Sequence, residues 1–306
     1  MKVPQYNMLT AFLVTAVFSL TTNPRPCLAD DPAPIHLFST GQAARSASIS
    51  SGVVTEPPPS VPPRRSAHIS DRSQSGIDRA YKLNEEGVEL ILKGDRNRGA
   101  QRLNRALEQD STNTTALYNL AGVKLEQGDA QGAIKLLERA VELAPNDLSF
   151  LNRLAEAHFA NSDIEQATEY YQQIVDVEPS FGEASLRLGV LFGMNKDWER
   201  AEEQLRKAVE INPKDPRALG NLGNILVLRE KFDEATVLLT KAQKMKRTPE
   251  NAVALGIAAE SSGHTKRALD HFREAKLLGD RDTNLDKHIL ELEQILAGQP
   301  TESRSR

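Results

Sequence analysis

Residues 129–145 read DAQGAIKLLERAVELAP, residues 163–179 read DIEQATEYYQQIVDVEP, and residues 197–213 read DWERAEEQLRKAVEINP. The three stretches begin 34 residues apart, and each ends on proline, at Pro145, Pro179 and Pro213. Alanine keeps the same step at Ala133, Ala167, Ala201 and Ala235. Proline averages about one residue in twenty, so two further prolines falling on the period by chance is about a one-in-400 coincidence. A fixed period of this length means stacked copies of one helical unit rather than a single closed core.

Working outward at this step gives six rows, starting at Ala80, Thr114, Leu148, Gly182, Pro216 and Pro249, the fifth one residue short. The eighth column is small in every row: Gly87, Ala121, Ala155, Gly189, Gly223 and Gly256. The twentieth reads Gly99, Ala133, Ala167, Ala201, Ala235 and Ala268, and the twenty-seventh Ala106, Ala140, Ile174, Ala208, Ala242 and Ala275. The twenty-fourth is large: Leu103, Leu137, Tyr171, Leu205, Leu239 and Phe272. Columns 20, 24 and 27 share one helix face. Small residues let paired helices approach, and the large one fills the gap between pairs. Breakers such as Gly94-Asp95, Gly128-Asp129 and Ser162-Asp163 split each unit in two, and proline closes most units because it cannot continue a helix.

This pattern resembles the tetratricopeptide repeat. The resemblance implies an all-α, right-handed α-solenoid of about six helix-turn-helix units over residues 77–280. It departs at the fourth column, where an aromatic is expected and Leu83, Leu117, Leu151, Ser185, Leu219 and Ala252 stand, and at Ser111 and Arg247, which replace the closing proline. The sixth row has the thinnest apolar face, through Ala252 and Glu260, and is expected to fray first. Residues 281–298 carry Leu285, Ile289, Leu292 and Leu296 on one stripe with charges opposite, as a capping helix requires.

The front of the chain is different material. Residues 8–20 are an apolar run preceded by Lys2, too short for the roughly 20 residues of a membrane-spanning helix and the right size for a signal-peptide core. Cys27-Leu28-Ala29 supplies small residues at the recognition positions, so residues 1–29 read as an export signal cleaved after Ala29; an uncleaved membrane anchor is the alternative. Cleavage removes the single cysteine, and with it disulfides, thiolate catalysis and cysteine-based metal sites. Residues 30–76 hold Pro57-Pro58-Pro59, Pro62-Pro63 and many serines and read as a disordered linker; residues 299–306 read as a disordered tail. The expected location is periplasmic or secreted. In a eukaryotic secretory pathway Asn113-Thr114-Thr115 is the glycosylation acceptor.

The net charge of −4 becomes −6 when Lys2 and Arg25 leave with the signal. That acidity and the 5% aromatic content argue against nucleic acid or an anionic membrane as partner. No phosphate-binding glycine loop, Ser/His/Asp order or HExxH stretch is present, and no cofactor is expected. His158 occupies a packing column, and the spacing of His264 and His271 is not a metal signature. The chain reads as a non-enzyme.

The resemblance further implies that the first helix of each unit lines a groove that holds a partner protein or peptide, with columns 2, 5, 6, 9 and 12 facing it. Column 6 reads Glu85, Asn119, Arg153, Arg187, Asn221 and Ala254, a ladder of hydrogen-bonding side chains suited to carboxylates and backbone amides. With Asn152, Arg217 and Asn224 these form the candidate groove. Chaperone-binding relatives use a carboxylate clamp, which only Asn119 and Arg153 match in the first three rows, so the chaperone C-terminal motif is disfavoured. A scaffold of an envelope, secretion or pilus assembly is the leading reading, and a self-associating or membrane-tethered structural module the alternative. Oligomeric state is left open.

Overall fold

The computed structural model describes residues 71–298. The segment read as an export signal, nearly all of the segment read as a linker, and residues 299–306 lie outside them. Among the described residues there are thirteen α-helices and no strand. They are α1 (Asp71–Leu92), α2 (Arg96–Gln109), α3 (Thr114–Glu126), α4 (Ala130–Leu143), α5 (Leu148–Ala160), α6 (Ile164–Val177), α7 (Gly182–Met194), α8 (Trp198–Ile211), α9 (Pro216–Leu228), α10 (Phe232–Met245), α11 (Pro249–Ser261), α12 (Thr265–Leu277) and α13 (Thr283–Gly298). Ten pair as five helical hairpins, α1 with α2, α3 with α4, α7 with α8, α9 with α10 and α11 with α12, and α13 follows as the C-terminal helix. Helix α1 begins ahead of residue 77, where the sequence reading starts the repeats.

One device ends every first helix. Residues 94, 128, 162, 196, 230 and 263 all have positive φ, between 59° and 88°. The amide of each such residue bonds back to a carbonyl three positions earlier, and the next amide bonds five positions earlier, as in Gly128 N to Leu125 O and Asp129 N to Lys124 O. This satisfies carbonyls that the helix end leaves open. The following residue then starts the second helix. Asp95, Asp129 and Asp197 each accept a bond from the amide three residues on, which caps that helix. First helices are capped by Asn113, Asp147, Asp215 and Thr248. The Asn113 side chain is spent on this: it is 4% exposed and its Oδ1 accepts from Ala116 N at 2.9 Å. A glycan has no room there in the folded chain.

The chain divides inside α6, between residues 170 and 171, into two compact units. In the unit ending at Tyr170, α1 packs on α2, α3 on α4, and α4 on α5. Its core joins Leu117, Ala121, Ala133, Leu137, Ala140, Phe150 and Leu154. In the unit beginning at Tyr171, α7–α8, α9–α10 and α11–α12 are the tight pairs, and α13 packs on α12. Columns 20, 24 and 27 are buried in every row. The sixth row is not thin: α11 is buried from Asn251 through Ala259, and Glu260 Oε2 lies 2.8 Å from His288 Nε2 in place of an apolar contact. On α13 only Leu285 and Leu292 are fully buried, and Leu290 and Ile295 share the outer face with charged residues. No described helix is long and apolar enough to cross a membrane.

Candidate partner-binding face

The candidate residues lie on first helices, because each of those helices repeats its face every 34 residues. The two compact units divide them into two groups.

In the unit ending at Tyr170, the ladder is turned inward. Asn119 is fully buried, and its Nδ2 donates to Oδ1 of the equally buried Asn84 at 3.0 Å. Arg153 is 7% exposed and lies over the Tyr118 ring, 4.6 Å from its centroid, while its Nη2 donates to the Tyr118 hydroxyl at 2.8 Å. Glu156 Oε2 stands 3.8 Å from Arg153 Nε, and Glu156 Oε1 accepts from Asn152 Nδ2 at 3.2 Å. Burial pulls the Arg153 pKa down, but Tyr118 and Glu156 more than offset it. The same burial pushes the Tyr118 phenol up, against the pull of Arg153. This cluster ties α3 to α5. Of the candidates here, Asn152 alone is partly exposed.

In the unit beginning at Tyr171, three of four candidates reach solvent. Arg187 and Arg217 share one carboxylate. Glu183 Oε1 is 2.8 Å from Arg187 Nε, an ionic approach in which the N–H is not aimed as a hydrogen bond. Arg217 holds Glu183 with both terminal nitrogens, at 3.2 and 2.8 Å, and Asp215 with Nε and Nη2, at 3.3 and 2.8 Å. Burial lowers the Arg217 pKa, and the two carboxylates raise it further than burial lowers it. Asn221 is half-buried. Asn224 is 2% exposed with its Oδ1 unpartnered, so it sits behind the face rather than on it. A cleft of about 210 Å³ opens beside Arg217, floored by Leu186, Ala208, Ile211 and Ala218.

The sequence reading missed Glu183, Asp215 and Tyr118, the groups that hold the arginines. Glu183 carried a legible signal, four residues ahead of Arg187 on one helix. The histidines are placed as follows: His158 is buried and stacked on Tyr170 with centroids 5.4 Å apart; His264 is an exposed cap position; His271 stands 3.7 Å from Glu274.

Two family models, both described as tetratricopeptide repeat, match the chain, one over residues 152–216 and the other over 90–154 and 194–259. No curated protein matches the sequence. Similar solved structures include pilF of Pseudomonas aeruginosa, with TM-score 0.59 and 16% identity over 74% of this chain and 99% of that one. A tetratricopeptide repeat protein from Parabacteroides merdae aligns with TM-score 0.51 and 19% identity, over 71% of this chain and 99% of that one. MamA from residue 41 onward, from Desulfovibrio magneticus RS-1, aligns with TM-score 0.52 and 19% identity, over 56% and 96%. At these identities the likeness is one of fold. The family matches run unbroken from residue 90 to residue 259, more than half of the sequence, and the helical hairpins repeat at the same 34-residue step: the chain belongs to the tetratricopeptide repeat family.

Proposed function

We propose that this chain is a non-enzymatic scaffold that holds a partner polypeptide on the first-helix face of its repeats. Repeats of this family bind proteins in general; the finer reading rests on Arg187, Arg217 and Asn221, which offer cationic and amide groups at solvent on successive first helices. Such groups take a partner's carboxylates and backbone amides. Glu183 and Asp215 already occupy the two guanidinium groups, so an acidic partner segment binds by competing with them. Asn224, in the same compact unit, is buried behind this face.

The test replaces Arg187, Arg217 and Asn221 together by alanine in the native host. Cross-linking and identification of attached proteins, compared with the parent chain, should lose a specific partner, with affinity weaker by about 2 kcal/mol or more. An unchanged set of cross-linked proteins, with the variant folded, refutes the reading.

The apolar run at 8–20 and the small residues before Asp30 support an exported scaffold of an envelope or secretion assembly. Cell fractionation with N-terminal sequencing tests this. A mature chain starting at Asp30 outside the cytoplasm is expected; an intact Met1 start in the membrane fraction favours the anchored alternative instead.

A further inference from the structure

We propose that His288 is a pH-responsive clasp that holds α13 on the last repeat, closed when the imidazole is charged and loosened when it is neutral. The geometry points to a single titrating group between two helices. His288 Nε2 lies 2.8 Å from Glu260 Oε2 on α11, and Nδ1 lies 3.6 Å from Glu291 Oε2 on α13 itself. The ring stands edge-on to Phe272 of α12, with centroids 5.3 Å apart at 76°. Both ring nitrogens therefore face carboxylates. An imidazolium donates at both positions, whereas a neutral ring carries one N–H and turns a lone pair on the other carboxylate.

The surroundings favour the charged form. Glu260 lies in the last turn of α11, where the carbonyl end of the helix repels a carboxylate and welcomes a cation. The basic groups of α12 that meet α13 are already engaged, Arg273 with Glu293 at 2.7 Å and Lys276 with Asp286 at 2.9 Å. His271 of α12 stands by Glu274. Burial lowers the pKa of His288, but Glu260 and Glu291 outweigh it and raise it above the ordinary 6.5. A raised pKa in the docked state means the clasp contributes fully below pH 6.5 and is lost as pH rises through the raised value. Helix α13 is where such a loss is felt, because it buries only Leu285 and Leu292 completely.

Amide hydrogen exchange of the full chain, followed helix by helix between pH 5.5 and 9 and corrected for intrinsic exchange rates, tests the clasp. Protection of α13 should fall roughly two- to fivefold more across this range than protection of α9 or α10. His288→Gln and Glu260→Gln should each abolish that extra fall while leaving His271 in place. A direct NMR titration of His288 should give a pKa above 6.5 in the parent and a lower one in Glu260→Gln. An α13 whose pH response is the same in His288→Gln as in the parent, or a His288 that titrates at or below 6.5, overturns the proposal.

Discussion

Leu205 Cγ lies 2.4 Å from the point where a β-carbon on Gly189 would stand. The same relation recurs one repeat on, with Leu239 Cγ 2.5 Å from that point on Gly223, and again with Phe272 Cε1 2.4 Å from it on Gly256. In these three rows the eighth column is glycine because the twenty-fourth side chain fills the space a β-carbon would take. Alanine is the better helix former by about 1 kcal/mol, yet Gly189→Ala drives a carbon into a branched core side chain. We expect a net loss of about 1–3 kcal/mol in urea denaturation. A variant as stable as the parent would mean that α8 shifts freely against α7.

The turn between paired helices gives the opposite prediction. Gly94, Gly128 and Gly263 adopt positive φ without strain, but Ser162, Lys196 and Glu230 hold φ of 66°, 60° and 59° with a side chain attached. Such a residue costs roughly 1–2 kcal/mol, against which glycine gives back part through its freer unfolded chain. Lys196 and Glu230 are exposed. Lys196→Gly and Glu230→Gly should each raise stability by about 0.5–1 kcal/mol. A lower denaturation midpoint in both would show that these side chains contribute more than their strain costs.

These two cases mark how far the sequence is legible. The packing columns announce themselves because the same steric problem recurs every 34 residues and admits few residue types. The positive-φ column is hidden after its glycines, since Lys196 and Glu230 look like ordinary surface residues. The candidate face was legible as a face but not in depth. Arg153 reads as a groove cation until Tyr118, on the neighbouring first helix, is seen to take its guanidinium over its ring. Glu260 reads as a gap in an apolar stripe, and only the fold brings His288 to it across 28 residues.

Tyr118 should report the Arg153 cluster directly. Tyr118→Phe keeps the ring under the guanidinium but removes the hydroxyl that accepts from Arg153 Nη2 at 2.8 Å. A buried cation then lacks one acceptor, and stability should fall by about 1–3 kcal/mol. Combining Tyr118→Phe with Arg153→Met should cost less than the sum of the two single changes, since the second removes the charge that the first leaves unmatched. Additive losses would mean the two residues are energetically independent despite their contact.

Glu202 gives the clearest dependence on acid. Its side chain is 7% exposed and accepts from Arg206 Nε and Nη2 at 3.0 and 2.8 Å, Arg229 Nη1 at 2.7 Å, and Lys231 Nζ at 2.8 and 3.0 Å. Burial alone would raise its pKa, but the hydrogen bonds from Lys231 and Arg206 outweigh burial and lower it from 4.5. Glu234, which shares Arg206, is lowered as well. A lowered pKa in the folded chain means the carboxylate stabilises above the ordinary value and loses that contribution as pH falls through the folded one. Glu202→Gln should therefore be less stable than the parent by about 2 kcal/mol at neutral pH. The gap should begin to close as pH drops below 4.5, where the unfolded parent protonates, and vanish once pH has passed through the lowered folded value. Denaturation midpoints of both chains between pH 7 and pH 3 measure this, and a gap that stays constant to the acid end would assign the loss to packing rather than to charge.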